Sequence, residues 1–169
     1  MRAVILGAGM AERATNGPVI APDDPEAADV QVLIRTHLAA MQAASPPESM
    51  HALDIANLKA PGISFYTVRD GGVLAGMGAI RALDATSGEL KSMHTPQAMR
   101  GHGHGARLLA YLIQQARARG YARLYLETGP GPDHAASRRL YSRHGFAQCG
   151  RFGDYPEDPN SAFMVLMLG

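Results

Sequence analysis

A glycine-rich stretch between an apolar segment and an amphipathic one has residues suited to binding an anion. It reads Arg100-Gly101-His102-Gly103-His104-Gly105-Ala106, with three glycines in five positions. Glycines remove the Cβ atoms that would keep backbone N–H groups away from a bulky anion. The free N–H groups and the dipole of a following helix favour negative charge at the same place, and Arg100 can add a cation. The stretch predicts a phosphate- or pyrophosphate-binding loop; the simpler alternative is a flexible surface loop.

The elements around this loop predict a mixed α+β sheet. Apolar residues recur at helical spacing over residues 26–44 and 106–119, and capping residues predict further helices from Ser45 and from Asp133. Apolar runs predict a short strand at Val19-Ile20 and strands at 63–69, 73–81, 89–95, 122–128, 146–151 and 162–168. Helices come first, then a meander of antiparallel strands, then alternating strands and helices. This order predicts helices on both faces of one sheet.

Glycines predict where these strands turn or come close to other elements. Asp70-Gly71-Gly72 has the composition of a tight hairpin turn. Gly76 and Gly78 lie inside the next strand, where they indicate a β-bulge or the close approach of another backbone. Gly120 follows the helix over 106–119 in the position expected of a C-terminal cap.

Length and composition limit the classes of protein to which the chain can belong. Its 169 residues suffice for one domain, and 46% hydrophobic with 18% charged residues are typical of a globular chain. A formal net charge of +1 gives no reason to expect a nucleic acid or a membrane as partner. Cys149 is the single cysteine, which excludes an internal disulfide. No apolar run approaches the roughly 20 residues of a membrane span, so we expect a cytoplasmic protein.

The N-terminal segment superficially resembles the start of a dinucleotide-binding fold. Ala3-Val4-Ile5-Leu6-Gly7-Ala8-Gly9 is an apolar run that ends in a glycine pair. That motif needs a further glycine where Glu12 stands, and Asn16-Gly17-Pro18 interrupts any helix soon after. We therefore expect residues 1–17 to be a leader or an extra edge segment. Nucleotide binding through Gly7 and Gly9 is the alternative.

Three segments resemble parts of the acetyltransferases of the GNAT family. Glu89-Leu90-Lys91-Ser92-Met93 resembles the family's fourth strand, and Arg100 to Ala106 matches the Arg-x-x-Gly-x-Gly-Ala pattern of its pyrophosphate loop. Leu140-Tyr141-Ser142-Arg143-His144-Gly145-Phe146 resembles its Leu-Tyr-x-x-x-Gly-Phe helix end. The resemblance covers the chain from about Val19, so residues 18–169 are identified as a single GNAT domain. It implies a mostly antiparallel, twisted sheet with splayed middle strands.

The resemblance implies acetyl-CoA as the cofactor. Backbone N–H groups around Met93, His94 and Thr95 would bind the pantetheine arm and the oxyanion that forms when the thioester is attacked. His134 stands where many members have an asparagine that contacts the cofactor arm, and Ser137 lies one turn before Tyr141. The residues implied on the phosphate side are Arg100, Gly101, His102, Gly103, His104, Gly105 and Ala106.

The resemblance also implies residues that transfer protons. Tyr141 is the implied general acid for the departing thiolate; without the resemblance it would be interpreted as a core tyrosine before a glycine cap. Glu89, at the start of the strand with the oxyanion donors, is the implied base for the incoming ammonium. Glu127, at the end of the neighbouring strand, is the rival, and a chain of water molecules is a third alternative.

Other polar residues predict neither a metal centre nor a nucleophile. His102 and His104 alternate with glycines and lack the ligand spacing of strong metal sites, so we expect no metal. Cys149 lies among ordinary strand residues and is expected to be packed. With the cofactor on the opposite side of the splayed strands, substrate contacts are expected from the early helices and the late loop, at Glu48, Ser49, His51, Tyr66 and Tyr155.

The activity implied by the resemblance is N-acetyl transfer. The acetyl group would pass directly from acetyl-CoA to a primary amine of a small molecule or a peptide. Leu126 to Gly129 and Tyr155 to Met164 further resemble a bacterial subgroup of the family with no assigned substrate. A CoA-binding module without transferase activity is the alternative. The resemblance also allows a homodimer.

Overall fold

The computed structural model describes residues 17–169, which form a seven-stranded sheet with helices on both faces. The segment predicted to be a leader, with its Gly7 and Gly9 motif, lies outside the described residues apart from Gly17. In chain order the elements are β1 (Val19–Pro22), α1 (Ala28–Ala44), α2 (Ile55–Leu58), β2 (Ile63–Asp70), β3 (Val73–Ala82), β4 (Ser87–His94), α3 (His104–Ala118), β5 (Arg123–Thr128), α4 (Ala135–Arg143), β6 (Ala147–Cys149) and β7 (Ala162–Met167).

The strands lie in the order β1-β2-β3-β4-β5-β7-β6. Neighbouring strands are antiparallel except β4 and β5, which run parallel. A parallel pair needs a long crossover connection, which the glycine-rich loop and α3 provide. The predicted fold class, a mostly antiparallel mixed sheet with helices on both faces, is therefore confirmed.

Each face of the sheet has its own hydrophobic core, because successive strand side chains point to opposite faces. Helices α3 and α4 cover one face, where the fully buried residues include Ile80, Leu108, Leu112 and Leu124. Helices α1 and α2 cover the other face over β2 and β3, where the core includes Val30, Ile34, Phe65, Met77 and Ala79. Within residues 17–169, no helix combines the length and apolar character that crossing a bilayer requires.

The sheet opens in its middle. The ladder between β4 and β5 ends at the pair Leu90 and Leu126, although β4 continues to His94 and β5 to Thr128. Strand β4 also bulges here: Met77 pairs with His94 and Ala79 with Lys91, so β4 holds an extra residue between these pairs. Ser92, at the bulge, has a φ of 57°. Beyond Leu90, β4 has lost β5 as a partner, which leaves main-chain polar groups available along that edge.

Gly78 lies on β3 opposite this bulge. A Cβ at Gly78 would lie 2.6 Å from the Met93 sulfur and 3.0 Å from Leu112 Cδ1. These nearest atoms belong to side chains, so the predicted close approach of another backbone is not what occupies the space at Gly78. The alternative prediction, a bulge in this strand, is confirmed beside Gly76: Val68 pairs with Gly76 and Arg69 with Leu74, which leaves Ala75 as an extra residue on β3.

The predicted hairpin turn is confirmed as well, since Asp70 pairs with Val73 across glycines at φ 57° and 82°. Gly120 has φ 77° and follows Arg119, the residue after the last helical residue of α3, as this type of helix end requires.

Four predicted helix starts differ from the structure, and the first of these helices, α1, begins at Ala28 rather than at residue 26. Ser45 does not cap a helix: Pro46 is extended, as a residue before proline prefers, and only a 3₁₀ turn forms at Pro47–Ser49. Helix α2 begins later, where the Asp54 side chain accepts a hydrogen bond from the Asn57 N–H at 2.8 Å. Helix α3 starts at His104 rather than Ala106. A 3₁₀ turn at Pro132–His134 displaces the start of α4 to Ala135, so Asp133 is not its cap.

Candidate active site

The glycine-rich loop presents unpaired backbone donors at the N-terminus of α3. Gly101 and Gly103 have φ of 81° and 80°, a left-handed conformation that side chains rarely adopt. A Cβ at either glycine would meet no atom within 4 Å, so the space beside them is open. Within residues 17–169, the N–H groups of residues 101–106 donate to no protein acceptor. Together with the helix dipole, these donors fit a pyrophosphate.

The charged side chains of this loop point in different directions. The Arg100 Nε donates to the carbonyl of Thr95 at 3.2 Å, which ties the loop to the end of β4. His102 is exposed, whereas His104 is only 2% exposed and its Nε2 lies 3.4 Å from an Asp70 carboxylate oxygen. An anion in the loop is therefore accessible to Arg100 and His102 through their side chains and to His104 through its backbone N–H.

A cavity of about 110 Å³, here called the central pocket, opens where β4 and β5 separate. Ser92 and Met93 of β4 face Glu127 and Thr128 of β5 across it. Helix α4 closes one side, and α1 with the following loop closes the other. The lining residues from these helices and the loop include His37, Met41, Ser49, Met50, His51, His134, Ser137 and Tyr141.

Tyr141 brings a phenol into this pocket from α4. It is 7% exposed and packs against Phe146, and its hydroxyl makes no hydrogen bond within residues 17–169. Burial raises the pKa of Tyr141 to about 12. The phenol therefore stays protonated at neutral pH, and its O–H is free to donate to a group in the pocket.

Glu127 brings a carboxyl to the same pocket from β5. Burial raises the pKa of Glu127 to about 7, and the neighbouring charges of Glu89 and Asp158 act in the same direction. The Ser161 hydroxyl and the Lys91 ammonium oppose this shift. A carboxyl with a pKa near neutral pH can both accept and release a proton under physiological conditions.

Glu89 lies deeper, in a buried ionic cluster on the same face of the sheet as Glu127. Its side chain is fully buried and does not line the central pocket. The Lys91 ammonium donates to the Tyr155 hydroxyl at 2.9 Å, to the His51 carbonyl at 3.0 Å and to Glu89 Oε1 at 3.4 Å. The Tyr155 hydroxyl donates in turn to Glu89 Oε1. Burial and the Glu89 charge hold the pKa of Tyr155 above its ordinary value.

Histidines surround the end of β4. The Nδ1 atoms of His37 and His94 lie 3.0 Å apart, so one ring donates to the other and ties α1 to β4. Burial lowers the pKa of both rings, that of His37 to about 4. His134 packs on Gly129, where a Cβ would lie 2.2 Å from its ring, and burial also lowers its pKa. The buried His134 Nε2 and Ser92 Oγ have no hydrogen-bond partner within residues 17–169.

The structure thus gathers most residues singled out from the sequence around one pocket and one loop. Met93, His134, Ser137 and Tyr141 line the central pocket, as does Glu127. Glu89 lies in the neighbouring ionic cluster, and His94 and Thr95 lie at the end of β4. Of the expected substrate contacts, Ser49 and His51 line the pocket and Tyr155 contacts Glu89. Tyr66 points to the α3 face, where Arg119 donates to its hydroxyl at 2.9 Å, and Glu48 is exposed.

Two residues of this region were not expected from the sequence. Lys91 is 8% exposed and links the ionic cluster to the His51 carbonyl. The sequence did contain a signal for Lys91. Glu89 and Lys91 are two positions apart and therefore share one face of the strand, and charges buried in a sheet must be paired. His37 gave no such signal, because a lone histidine on an amphipathic helix can face either way.

Comparisons with known proteins agree with this geometry. Residues 31–146 match the model of the acetyltransferase (GNAT) family. The chain is 43% identical to YsnE of Bacillus subtilis, an uncharacterised N-acetyltransferase, over 86% of this chain and 97% of that protein. It is 43% identical to YedL of Escherichia coli, another uncharacterised N-acetyltransferase, over 88% and 94%. The crystal structure of a candidate acyl-CoA N-acyltransferase from Klebsiella pneumoniae matches with TM-score 0.76 and 31% identity, covering 90% of this chain and 98% of that one.

Proposed function

This chain belongs to the acetyltransferase (GNAT) family, and on that premise we propose that it transfers the acetyl group of acetyl-CoA directly to a primary amine of a small molecule or peptide. Family membership supports acyl transfer as the class of reaction. The observation that supports transfer from acetyl-CoA to an amine is the central pocket. Three features line this one cavity: the Tyr141 phenol, which makes no hydrogen bond within residues 17–169, the Glu127 carboxyl with a pKa of about 7, and the open edge of β4.

Acetyl-CoA is proposed as the donor because polar groups without a partner in the described part of the chain lie both at the α3 N-terminus and in this pocket. The N–H groups of residues 101–106 suit a pyrophosphate, with the Arg100 cation and His102 beside them. His134 Nε2 and Ser92 Oγ, which have no partner within residues 17–169, suit the polar atoms of a pantetheine arm, and Ser137 lines the same pocket. When bound, this donor supplies a thioester whose carbonyl carbon is open to attack by an amine.

Negative charge on the thioester oxygen is proposed to be stabilised by the main chain of β4. Among the described strands, β4 has no partner on the β5 side past Leu90, so N–H groups around Met93, His94 and Thr95 remain available to an oxyanion. The bulge at Ser92 and the hydrogen bond between His37 and His94 fix this segment. Removing a single oxyanion donor from a preorganised site typically costs about 100- to 1,000-fold in rate.

Tyr141 is proposed to donate a hydrogen bond to the departing sulfur. With a phenol pKa of about 12 and an ordinary thiol pKa near 8.5, complete proton transfer would be uphill by roughly 5 kcal/mol. Donation of a hydrogen bond by Tyr141 needs no such transfer, and solvent can supply the proton later. The buried position favours this role, since a hydrogen bond to developing charge is stronger where water is excluded.

Glu127 is the proton acceptor that the geometry favours for the incoming ammonium, because it lines the same pocket as Tyr141. Its pKa of about 7 leaves it ionised in part at neutral pH. Glu89, the base implied by the family resemblance, is held by Lys91 and Tyr155 outside this pocket. Glu89 can still accept the proton through a water molecule. Substitutions at both carboxylates separate these two possibilities. If Glu127 is the proton acceptor, Glu127→Gln lowers kcat, and the kcat of Glu89→Gln is compared with it.

The test of this proposal is amine-dependent release of free thiol from acetyl-CoA. A panel of small amines and N-terminal peptides is assayed with the wild type, with Tyr141→Phe and with Tyr111→Phe, a control on α3 whose ring packs on Tyr66. We expect Tyr141→Phe to lower kcat at least tenfold with unchanged acetyl-CoA affinity, and Tyr111→Phe to retain wild-type kinetics. Tight acetyl-CoA binding without turnover of any amine would instead identify a CoA-binding module.

A further inference from the structure

A second cavity adjoins the central pocket on the same face of the sheet as α1 and α2, over the ends of β3, β4 and β5 that these helices do not cover. Its volume is about 510 Å³. Strand residues form its floor. Glu89 of β4 pairs with Arg81 of β3 on one side and with Tyr125 of β5 on the other, so these three side chains lie next to one another on one face of the sheet. His51 and Lys91 line both cavities, so the two spaces are adjacent. We call this second space the acceptor cavity.

The floor of the acceptor cavity has more cationic than anionic side chains. Among the strand residues that line it, Arg81, Lys91 and Arg123 are cationic and Glu89 is anionic. Glu89 Oε1 already accepts from Lys91 and Tyr155. Arg81 comes no closer to Glu89 Oε2 than 4.0 Å, and Arg123 forms no ion pair or side-chain hydrogen bond within residues 17–169. Two guanidinium groups thus retain donors for an additional anion.

The rim and wall of this cavity limit what that anion can be. Asp84 and Asp154 line the rim, and they would repel a group with several negative charges. One wall is aromatic, because Phe152 stacks on Tyr125 with ring centroids 4.6 Å apart and meets Tyr155 edge-on at 5.1 Å. A single carboxylate attached to an apolar body therefore suits this space better than a polyphosphate.

We propose that the acceptor cavity binds a carboxylate group of the acceptor amine, so that the substrates are amino acids or similar amines with a free carboxylate. This inference rests on the proposed acetyl transfer and names the substrate class. Arg81 and Arg123 bind the carboxylate, the aromatic wall packs on the apolar body, and the amine extends past Lys91 towards Glu127.

The test compares each amine with its uncharged amide. The proteinogenic amino acids, β-alanine and 4-aminobutyrate are assayed beside their carboxamides with the wild type, Arg81→Gln, Arg123→Gln and the double variant. Arg117→Gln, an exposed arginine in the last turn of α3, controls for the loss of one positive charge. We expect the wild type to prefer acids over amides at least tenfold in kcat/KM. Each cavity variant should raise KM for acids about tenfold with little change in kcat, and amides should be unaffected.

Two results would overturn the inference: equal use of acids and amides by the wild type, or a preference for acids that survives the double substitution. If no amine turns over although acetyl-CoA binds, the proposed function fails separately. In that case calorimetric titration of the same amino acids into CoA-saturated protein decides the inference. Binding of an acid that Arg81→Gln and Arg123→Gln weaken would support it, and absence of binding by every acid would overturn it.

Discussion

The substitution Glu127→Gln tests whether folding raises the pKa of the Glu127 carboxyl in the central pocket. The pKa of Glu127 rises from an ordinary 4.5 to about 7 in the folded protein, chiefly because of burial. Between these values the folded state binds the proton more tightly than the unfolded state, so the contribution of Glu127 to stability falls as pH rises. Above about pH 7 the folded wild type must keep a charge in the pocket. Glutamine has no such charge, so the variant should be the more stable protein in alkaline solution.

The size of this effect follows from the pKa difference. Each pKa unit corresponds to about 1.4 kcal/mol, so a rise from 4.5 to about 7 sets an upper bound of about 3.5 kcal/mol. The pocket is partly open to solvent, and about half of this value is a reasonable expectation. For a domain of this length, about 1.7 kcal/mol corresponds to a Tm difference of roughly 3–7 °C.

The assay is thermal unfolding of the wild type and Glu127→Gln from about pH 4 to about pH 9. Their Tm values should coincide near the acid end, and the Gln variant should become the more stable as pH rises through the interval between the two pKa values. Glu48→Gln, at an exposed position, should show no such divergence. A Tm difference that is independent of pH, or one that grows towards acid, would refute the account of Glu127.

Three further perturbations have defined expectations. If Glu127 is the base, kcat/KM for acetyl transfer should rise with pH through a midpoint close to its pKa of about 7, and a profile flat across neutral pH would exclude it. Gly78→Ala should lower stability by about 1–3 kcal/mol in chemical unfolding, because its Cβ would lie 2.6 Å from the Met93 sulfur; unchanged stability would mean that the bulge yields freely. Gly103→Ala should cost about 1 kcal/mol of stability and weaken acetyl-CoA binding in calorimetry, because φ at this position is 80°; wild-type affinity would show that the loop tolerates side chains there.

Local patterns explain why much of the fold could be predicted from the sequence. The Asp70-Gly71-Gly72 turn, the apolar stripe of α3 and the glycine after it are short-range signals, and each corresponds to an element of the structure. The prediction of a helix from Ser45 was wrong, and the reason is also local. Pro47 holds Pro46 in an extended conformation, so Ser45 cannot act as the cap and only the 3₁₀ turn at Pro47–Ser49 forms.

The candidate site was harder to predict because its contacts join distant parts of the chain. The glycine-rich loop is continuous in sequence and could be identified directly. The ionic cluster joins Lys91 to Tyr155 across 64 positions, and the histidine pair joins His37 to His94 across 57. Periodicity indicates which residues are buried, but it does not tell which buried charges meet. For the same reason the sequence left Glu89 and Glu127 as rivals, and the separation of β4 from β5 now distinguishes their surroundings.

The most direct test of the central claim is calorimetric binding of acetyl-CoA, compared with NAD and ATP, to the wild type and to Gly103→Glu. We expect selective binding of acetyl-CoA that Gly103→Glu abolishes, because the substitution brings bulk and negative charge among the N–H groups of residues 101–106, which donate to no acceptor within residues 17–169. A folded wild-type protein that does not bind acetyl-CoA, or a Gly103→Glu variant that binds it normally, would contradict the account.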